Sequence, residues 1–190
     1  MELSVKLYLG LLAVVALLRF YELHISRQHQ QQMVAQGASK VAEPRFRWMV
    51  LVHTLVIVGA ALEVVFLHRP FYPIFGGICF AIFLAANAVR WWVIRTLGNH
   101  WNVQVMNSTS LGVITTGPFR YVRHPNYAAV FVEMLVLPLI HTAWITAVLG
   151  SLAHALVLSQ RLATEERVLF SDANYRAAMA GKPRFLPGLF

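Results

Sequence analysis

The sequence predicts an all-α integral membrane protein of five transmembrane helices, the last two forming a helical hairpin. Three observations carry this. Hydrophobic residues make up 58% of the 190 and charged residues only 13%, and the mean hydropathy of +0.59 is too high for a soluble domain of this size. Apolar runs of roughly 20 residues, enough to cross about 30 Å of hydrocarbon, recur along the chain. The bases behind the net charge of +8 cluster at the ends of those runs, which reads as a topology signal rather than a nucleic-acid surface.

The first span is expected over 3–21. Glu2 is out of place in a basic leader, and Arg19, Phe20 and Tyr21 stand where the small residues of a cleavage site belong, so the segment reads as retained. The second and third spans are expected over 48–67 and 72–95. The apolar stretch 127–160 is too long for one helix and is interrupted by Pro138, Leu139, Ile140, His141 and Thr142, so it divides into two helices joined by a tight turn.

Two polar segments interrupt this pattern. HISRQHQQQMVAQGASKVAEPRF, within a polar loop placed at 22–47, is Gln-rich and suits a surface helix or a loop; it carries no catalytic signature. NHWNVQVMNSTSLGVITTGPFRYVRHPNY is punctuated by Gly112, Gly117, Pro118 and Pro125, and connectors this long are usually functional. The chain is accordingly divided into an N-terminal three-helix region, 1–96, and a core, 97–190. Arg27, Lys40, Arg45, Arg47, Arg120, Arg123, Arg161, Arg167, Arg176, Lys182 and Arg184 fall on one side of the five-span arrangement, against Lys6 and Arg69 on the other. That asymmetry makes the side with the connector and the C-terminal tail cytoplasmic.

Cysteine and histidine chemistry is thin. The lone Cys79 excludes an intrachain disulfide and a thiolate metal cluster, and the eight histidines show no HExxH or HxxxH pairing, so no metal site is expected.

Two short motifs remain. Arg161 and Glu165 stand four apart on one helical face where membrane gives way to water, as a site or as a helix-end ion pair with Glu166 solvated. In RYVRHPNY, Pro125 extends His124 and opens the fourth helix, leaving free backbone N–H groups at Asn126 and Tyr127 among arginines. This is an arrangement that suits an anionic group, or a basic juxtamembrane stop. Glu63, Asn87, Arg90, Glu133 and His154 fall within or near spans, with structural or headgroup roles expected; Glu63 and Arg90 lie near opposite ends and are not paired, and Glu133 is placed to line a cavity above the connector. Trp91, Trp92 and Trp101 suggest an interfacial belt.

Taken together, LGNHWNVQV, GPFRYVRHPNY, a hydrophobic hairpin, RLATEERVLF and a tail ending in PRFLP resemble the isoprenylcysteine carboxyl methyltransferase family of integral membrane methyltransferases, over roughly residues 97–187. The N-terminal segments ISRQHQQQMVAQGASK and FRWMVLVHTLVIVGAALE look more like a bacterial branch of that family, associated with type III polyketide synthases, that O-methylates alkylpyrones. The resemblance implies S-adenosylmethionine as cofactor and S-adenosylhomocysteine as product. It carries His124, Pro125, Asn126 and Tyr127 onto the element that lines the cofactor pocket, Leu111, Gly112, Val113 and Ile114 onto the segment whose backbone holds the cofactor, and Phe119, Gln104 and Glu165 onto further contacts. Arg161 falls on the arginine held against the acceptor's acidic oxygen, so Arg161 and Glu165 are the expected catalytic residues. Leu111 and Phe119 replace polar or hydroxylated residues of the eukaryotic enzymes, which leaves backbone contacts at those points.

The implied activity is O-methylation of a lipophilic acidic acceptor, an alkylpyrone hydroxyl or a prenylcysteine-type carboxylate. The site is expected to face the cytoplasm from a bacterial inner membrane, with membrane lipid as its surroundings, no nucleic-acid partner and a functional link to a type III polyketide synthase. A sterol-type reductase using a nicotinamide cofactor, a phospholipid N-methyltransferase and a non-enzymatic scaffold binding anionic lipid are the competing readings.

Overall fold

The computed structural model describes residues 2–43, 46–107 and 111–185. Arg45 of the basic face and Leu186 and Pro187 of the PRFLP tail lie outside them. Helix α1 runs Leu3–Ala35, α2 Phe46–Phe66, α3 Pro73–Leu97, α4 Pro125–Leu139, α5 Trp144–Leu169 and α6 Ala173–Met179. Ser39–Lys40 (β1) pairs antiparallel with Met106–Asn107 (β2), a small ladder that the all-α expectation omits.

Four helices, α1, α2, α3 and α5, are long and apolar enough to cross a membrane. Helix α4, with 15 residues, is about 22 Å long at 1.5 Å per residue and falls short of a full span. The hairpin breaks where expected: α4 ends at Leu139, Thr142 takes a φ of 54°, and α5 begins at Trp144.

The largest departure is α1. Its 33 residues reach about 50 Å, so the helix leaves the apolar layer and continues through most of the expected loop 22–47. Its buried residues Tyr8, Leu12, Val15, Glu22, Ser26 and Met33 are spaced by three, four and seven. One stripe therefore runs unbroken from the apolar half into the polar half. The Gln-rich stretch is helical because that stripe has something to pack on: Ser26 Oγ accepts the Val103 N–H at 2.9 Å, His29 Nδ1 lies 2.7 Å from the Trp101 carbonyl, and Met33 packs with Ala38, Met106 and Leu111.

Helix α3 shows the same logic inside the apolar layer. Gly76, Cys79, Phe83, Ala86, Arg90 and Val93 are buried at alternating spacings of three and four, while Ile74, Ile78 and Leu84 are exposed on the surface that lipid would cover. At Gly76 a Cβ would stand 2.6 Å from the Ile140 carbonyl, so only glycine lets α3 approach the α4–α5 turn this closely. Helix α4 is wedged between α3 and α5, with Glu133, Met134, Leu137 and Pro138 fully buried.

Of the polar groups expected within or near the spans, Glu63, Asn87, Arg90 and Glu133 find polar partners, whereas the ring nitrogens of His154 have none among the described residues. Glu63 of α2 accepts the backbone N–H groups of Ile145 (3.1 Å) and Thr146 (2.7 Å) and the Thr146 hydroxyl (2.8 Å), capping α5 from outside, and it pairs with Arg69 at 2.7 Å. Asn87 donates to the Phe83 carbonyl at 2.9 Å. Arg90 turns to Glu22 and to Glu133 (3.0 Å), and Arg19 to Glu22 (2.9 Å) and Glu133 (2.6 Å). Glu133 thus sits inside an ion cluster instead of lining a cavity, because two arginines compete for its carboxylate. Trp101 is also corrected: it is 3% exposed, packed edge-on to His29, whereas Trp91 and Trp92 do face outward.

Candidate active site

The start of α4 is built by its own sequence. Pro118 opens a 3-10 turn at Gly117–Arg120, His124 is the N-cap with φ −127° and ψ 58°, short of the extended backbone expected before a proline, and Pro125 occupies the first turn of α4, where a missing N–H costs nothing. The C-terminal tail straps over this element. The Pro183 and Arg184 carbonyls accept the backbone N–H groups of Arg123 and His124, each at 2.9 Å, and Lys182 Nζ donates to the Phe119 carbonyl at 2.7 Å.

The far end of α5 delivers the acidic groups. Glu166, expected to be solvated if Arg161 and Glu165 formed a plain ion pair, is instead the clasp of this strap. It lies 3.2 Å from His124 Nε2, 2.7 Å from Arg184 Nη2 and 3.3 Å from Arg123 Nη2. Arg161 and Glu165 are not joined directly. Tyr127 stands between them: its hydroxyl donates to the Glu165 carboxylate and accepts from Arg161 Nε at 3.0 Å. Arg161 also donates to the Val103 carbonyl and lies 3.4 Å from Glu43. The His124 ring stacks on Tyr127 at 5.5 Å, so the motif residues form one braced unit.

These groups open on a cavity of about 540 Å³. Its polar end is floored by Gly112, Val113 and Ile114, by Phe119, and by His124, Pro125, Asn126 and Tyr127; Arg161, Glu165 and Gln104 stand on its walls. Tyr175 and Met179 of α6 close it from the tail. Burial, with Glu165 nearby, holds the Tyr175 hydroxyl above its ordinary range. Leu111 is set aside from the lining and packs against Met33, Ala38 and Met106. The other end runs between α1 and α2 past the apolar Ala16, Phe20, Val50 and Val58, with Arg19, Glu22 and His53 among them.

The polar end offers unpartnered acceptors and bare backbone to a polar ligand. Asn126 Oδ1 and Gln104 Oε1 are buried acceptors with no hydrogen-bond partner among the described residues, fit to receive an ammonium or an amino group. Gly112 has a φ of +96° and open space where a Cβ would stand, so its backbone is presented bare. The α4 N-terminus supplies unpaired N–H groups to a carboxylate.

Two groups at the site were not singled out from sequence. Glu43, from the segment that carried no signature, stands against Arg161 outside the cavity lining, and His53 of α2, which lines the cavity, stacks on His154 of α5 at 5.2 Å.

The family model described as "Isoprenylcysteine carboxyl methyltransferase (ICMT) family" matches residues 78–171. A Bacillus subtilis (strain 168) protein, YpbQ, described as uncharacterized, is 30% identical over 159 residues, 84% of this chain and 94% of that protein. An uncharacterized Haemophilus influenzae protein is 28% identical over 158 residues, 83% of this chain and 91% of its own length. Among solved structures, the eukaryotic intramembrane Ras methyltransferase ICMT matches with a TM-score of 0.62 at 20% identity, covering 86% of this chain; the chain spans 59% of the length of that enzyme.

Proposed function

The chain belongs to the isoprenylcysteine carboxyl methyltransferase family, and we propose that it methylates an acidic oxygen of a lipophilic acceptor at a membrane, with S-adenosylmethionine as donor. The observation that supports this reading best is a single cavity with two unlike ends. One is braced by Arg161, Tyr127 and Glu165 and the other is a mostly apolar slot between α1 and α2.

Bound S-adenosylmethionine supplies a methyl on a sulfonium: the S–C bond breaks with its electron pair going to sulfur while an oxygen lone pair of the acceptor forms the C–O bond. Opposite charges vanish in that displacement, so a water-poor site favours it. This chain's residues have three tasks. Asn126, Gln104, the bare backbone at Gly112 and the start of α4 grip the donor's polar ends. Glu165, held by the Tyr127 hydroxyl, keeps a carboxylate at the wall of the polar end. Arg161 faces the cavity with its guanidinium already fixed by Val103, Glu43 and Tyr127, so it can hold the acceptor's anion without reorganising. An acceptor with a carboxylic pKa of about 4 arrives ionised and requires no general base; an alkylpyrone hydroxyl, a vinylogous acid, behaves alike.

In this reading α4 and α5 act as the fourth and fifth membrane segments, α4 crossing only part of the layer. Because they form a hairpin, the connector and the tail share one face whatever depth α4 reaches. The excess of bases supports a cytoplasmic assignment for that face, where the donor is made, and the resemblance to a bacterial branch of the family supports a bacterial inner membrane.

Calorimetry of the detergent-purified chain tests the proposal. Saturable binding of S-adenosylhomocysteine, with none of a nicotinamide dinucleotide phosphate, is the expected result. Binding of the nicotinamide alone would replace the proposal with a reductase.

A further inference from the structure

The mechanism above leaves one feature of the cavity unused. His53 and His154 stack face to face across the α2–α5 contact, 5.2 Å apart with planes 16° from parallel, and both line the cavity. His154 is fully buried, yet neither of its ring nitrogens has a hydrogen-bond partner among the described residues, nor has Nε2 of His53. A neutral imidazole carries one donor and one acceptor, and burying both unmatched is costly. Two adjacent rings with three unmatched nitrogens between them, both lining one cavity, point to something that completes them.

Their position says what that is. Phe131 packs edge-on against His154 at 6.1 Å. On α4 it follows Tyr127 by four residues, about 6 Å of helix rise. On α5 His154 precedes Arg161 by seven residues, about 10 Å of rise, so the histidine pair lies one to two turns deeper than the Tyr127–Arg161 contact, on the route from the polar end to the apolar slot. Arg19 lines the cavity beside it, and the charges of Arg19 and Arg161 both reach His53.

We propose that His53 and His154 form a polar subsite for a second oxygen of the acceptor, set one to two helical turns from the oxygen that is methylated. This rests on the methyltransferase reading and narrows its substrate class. A fatty acid or a prenyl chain would place only hydrocarbon beside the two rings. A compact hydroxy-carbonyl head would place an oxygen there, with its tail leaving between α1 and α2.

Transfer of labelled methyl is compared for 4-hydroxy-6-pentadecyl-2-pyrone and hexadecanoic acid, with S-adenosylhomocysteine affinity measured on the same samples. The wild type should prefer the pyrone in kcat/KM. His154→Leu and His53→Leu should each lower the pyrone-to-acid ratio about tenfold, the effect of one lost hydrogen bond to a buried group. His154→Gln, which keeps a donor and an acceptor, should recover most of it. Where His154→Leu does not survive purification, His53→Leu reads the same ratio. A ratio unmoved by the variants that bind S-adenosylhomocysteine normally overturns the subsite, as does a wild type with no preference for the pyrone or no transfer to either acceptor. A wild type that fails to bind S-adenosylhomocysteine overturns the methyltransferase reading itself.

Discussion

Two clusters of arginine and glutamate border the same cavity, and they are built to opposite ends. Arg19, Glu22, Arg90 and Glu133 come from α1, α3 and α4 and balance two charges against two. Each carboxylate is shared by both guanidiniums, and the Glu133 side chain is 0% exposed. In the other cluster, Arg161 is held by Tyr127, Val103 and Glu43, while Glu165 answers to the Tyr127 hydroxyl and keeps a quarter of its side chain open. Ionisable groups at membrane depth are functional candidates by default. The comparison shows how partners divide them: in the first set both carboxylates are spent on the two guanidiniums and tie three helices, and in the second the guanidinium is fixed from behind while the Glu165 carboxylate stays partly open to the cavity.

Breaking the closed set should give the largest effect. Glu133→Leu strands two guanidiniums with one carboxylate, and removing one partner from a buried ion pair costs about 3–5 kcal/mol. A fall in the detergent unfolding midpoint, or failure to purify as a monodisperse species, is the expected outcome. Adding Arg90→Met rebalances the charge and should recover part of the loss; no recovery would mean that shape rather than charge makes Glu133 indispensable. The open set should respond differently. Arg161→Ala strands the buried Glu43 carboxylate and should also lower the unfolding midpoint, but at a temperature where the variant is folded S-adenosylhomocysteine should stay bound while methyl transfer falls about 10²–10³-fold, the usual cost of losing one preorganised donor to a reacting anion. Unchanged turnover would take the acceptor away from Arg161.

The open cluster is more legible in the sequence than the closed one, for a physical reason. Tyr127, Arg161 and Glu165 belong to compact motifs, and Pro125 dictates the local backbone that presents them. The membrane helices are read from apolar length, and the hairpin break from Pro138. What joins Arg19 and Glu22 to Arg90 and Glu133 is tertiary: the residues lie on three helices, and spacing along one helix says nothing of its neighbours. The second half of α1 was illegible because its partners, Val103, Trp101 and Met106, sit some seventy residues away in the connector. A Gln-rich stretch has no apolar period of its own to announce them. Glu43 was lost for the same reason, since its role exists only once α1 carries it to Arg161.

Smaller changes sharpen the boundary between holding and reacting. Tyr127→Phe keeps the ring that His124 stacks on but removes the hydroxyl that joins Arg161 to Glu165. S-adenosylhomocysteine affinity should fall about 10–100-fold, the worth of one hydrogen bond to a charged group, and an affinity equal to that of the wild type would show that Glu165 needs no such brace. The least effect belongs to the strap. Arg184 is half exposed and its contact with Glu166 is a surface ion pair, worth under about 1 kcal/mol and screened by salt. Its backbone carbonyl still accepts from His124 in Arg184→Ala, so the variant should weaken S-adenosylhomocysteine about twofold at low salt, with the difference vanishing near 1 M. A large, salt-independent loss would mean that Glu166 holds His124 only while Arg184 holds Glu166, and the clasp would then belong with the open cluster as part of the binding machinery.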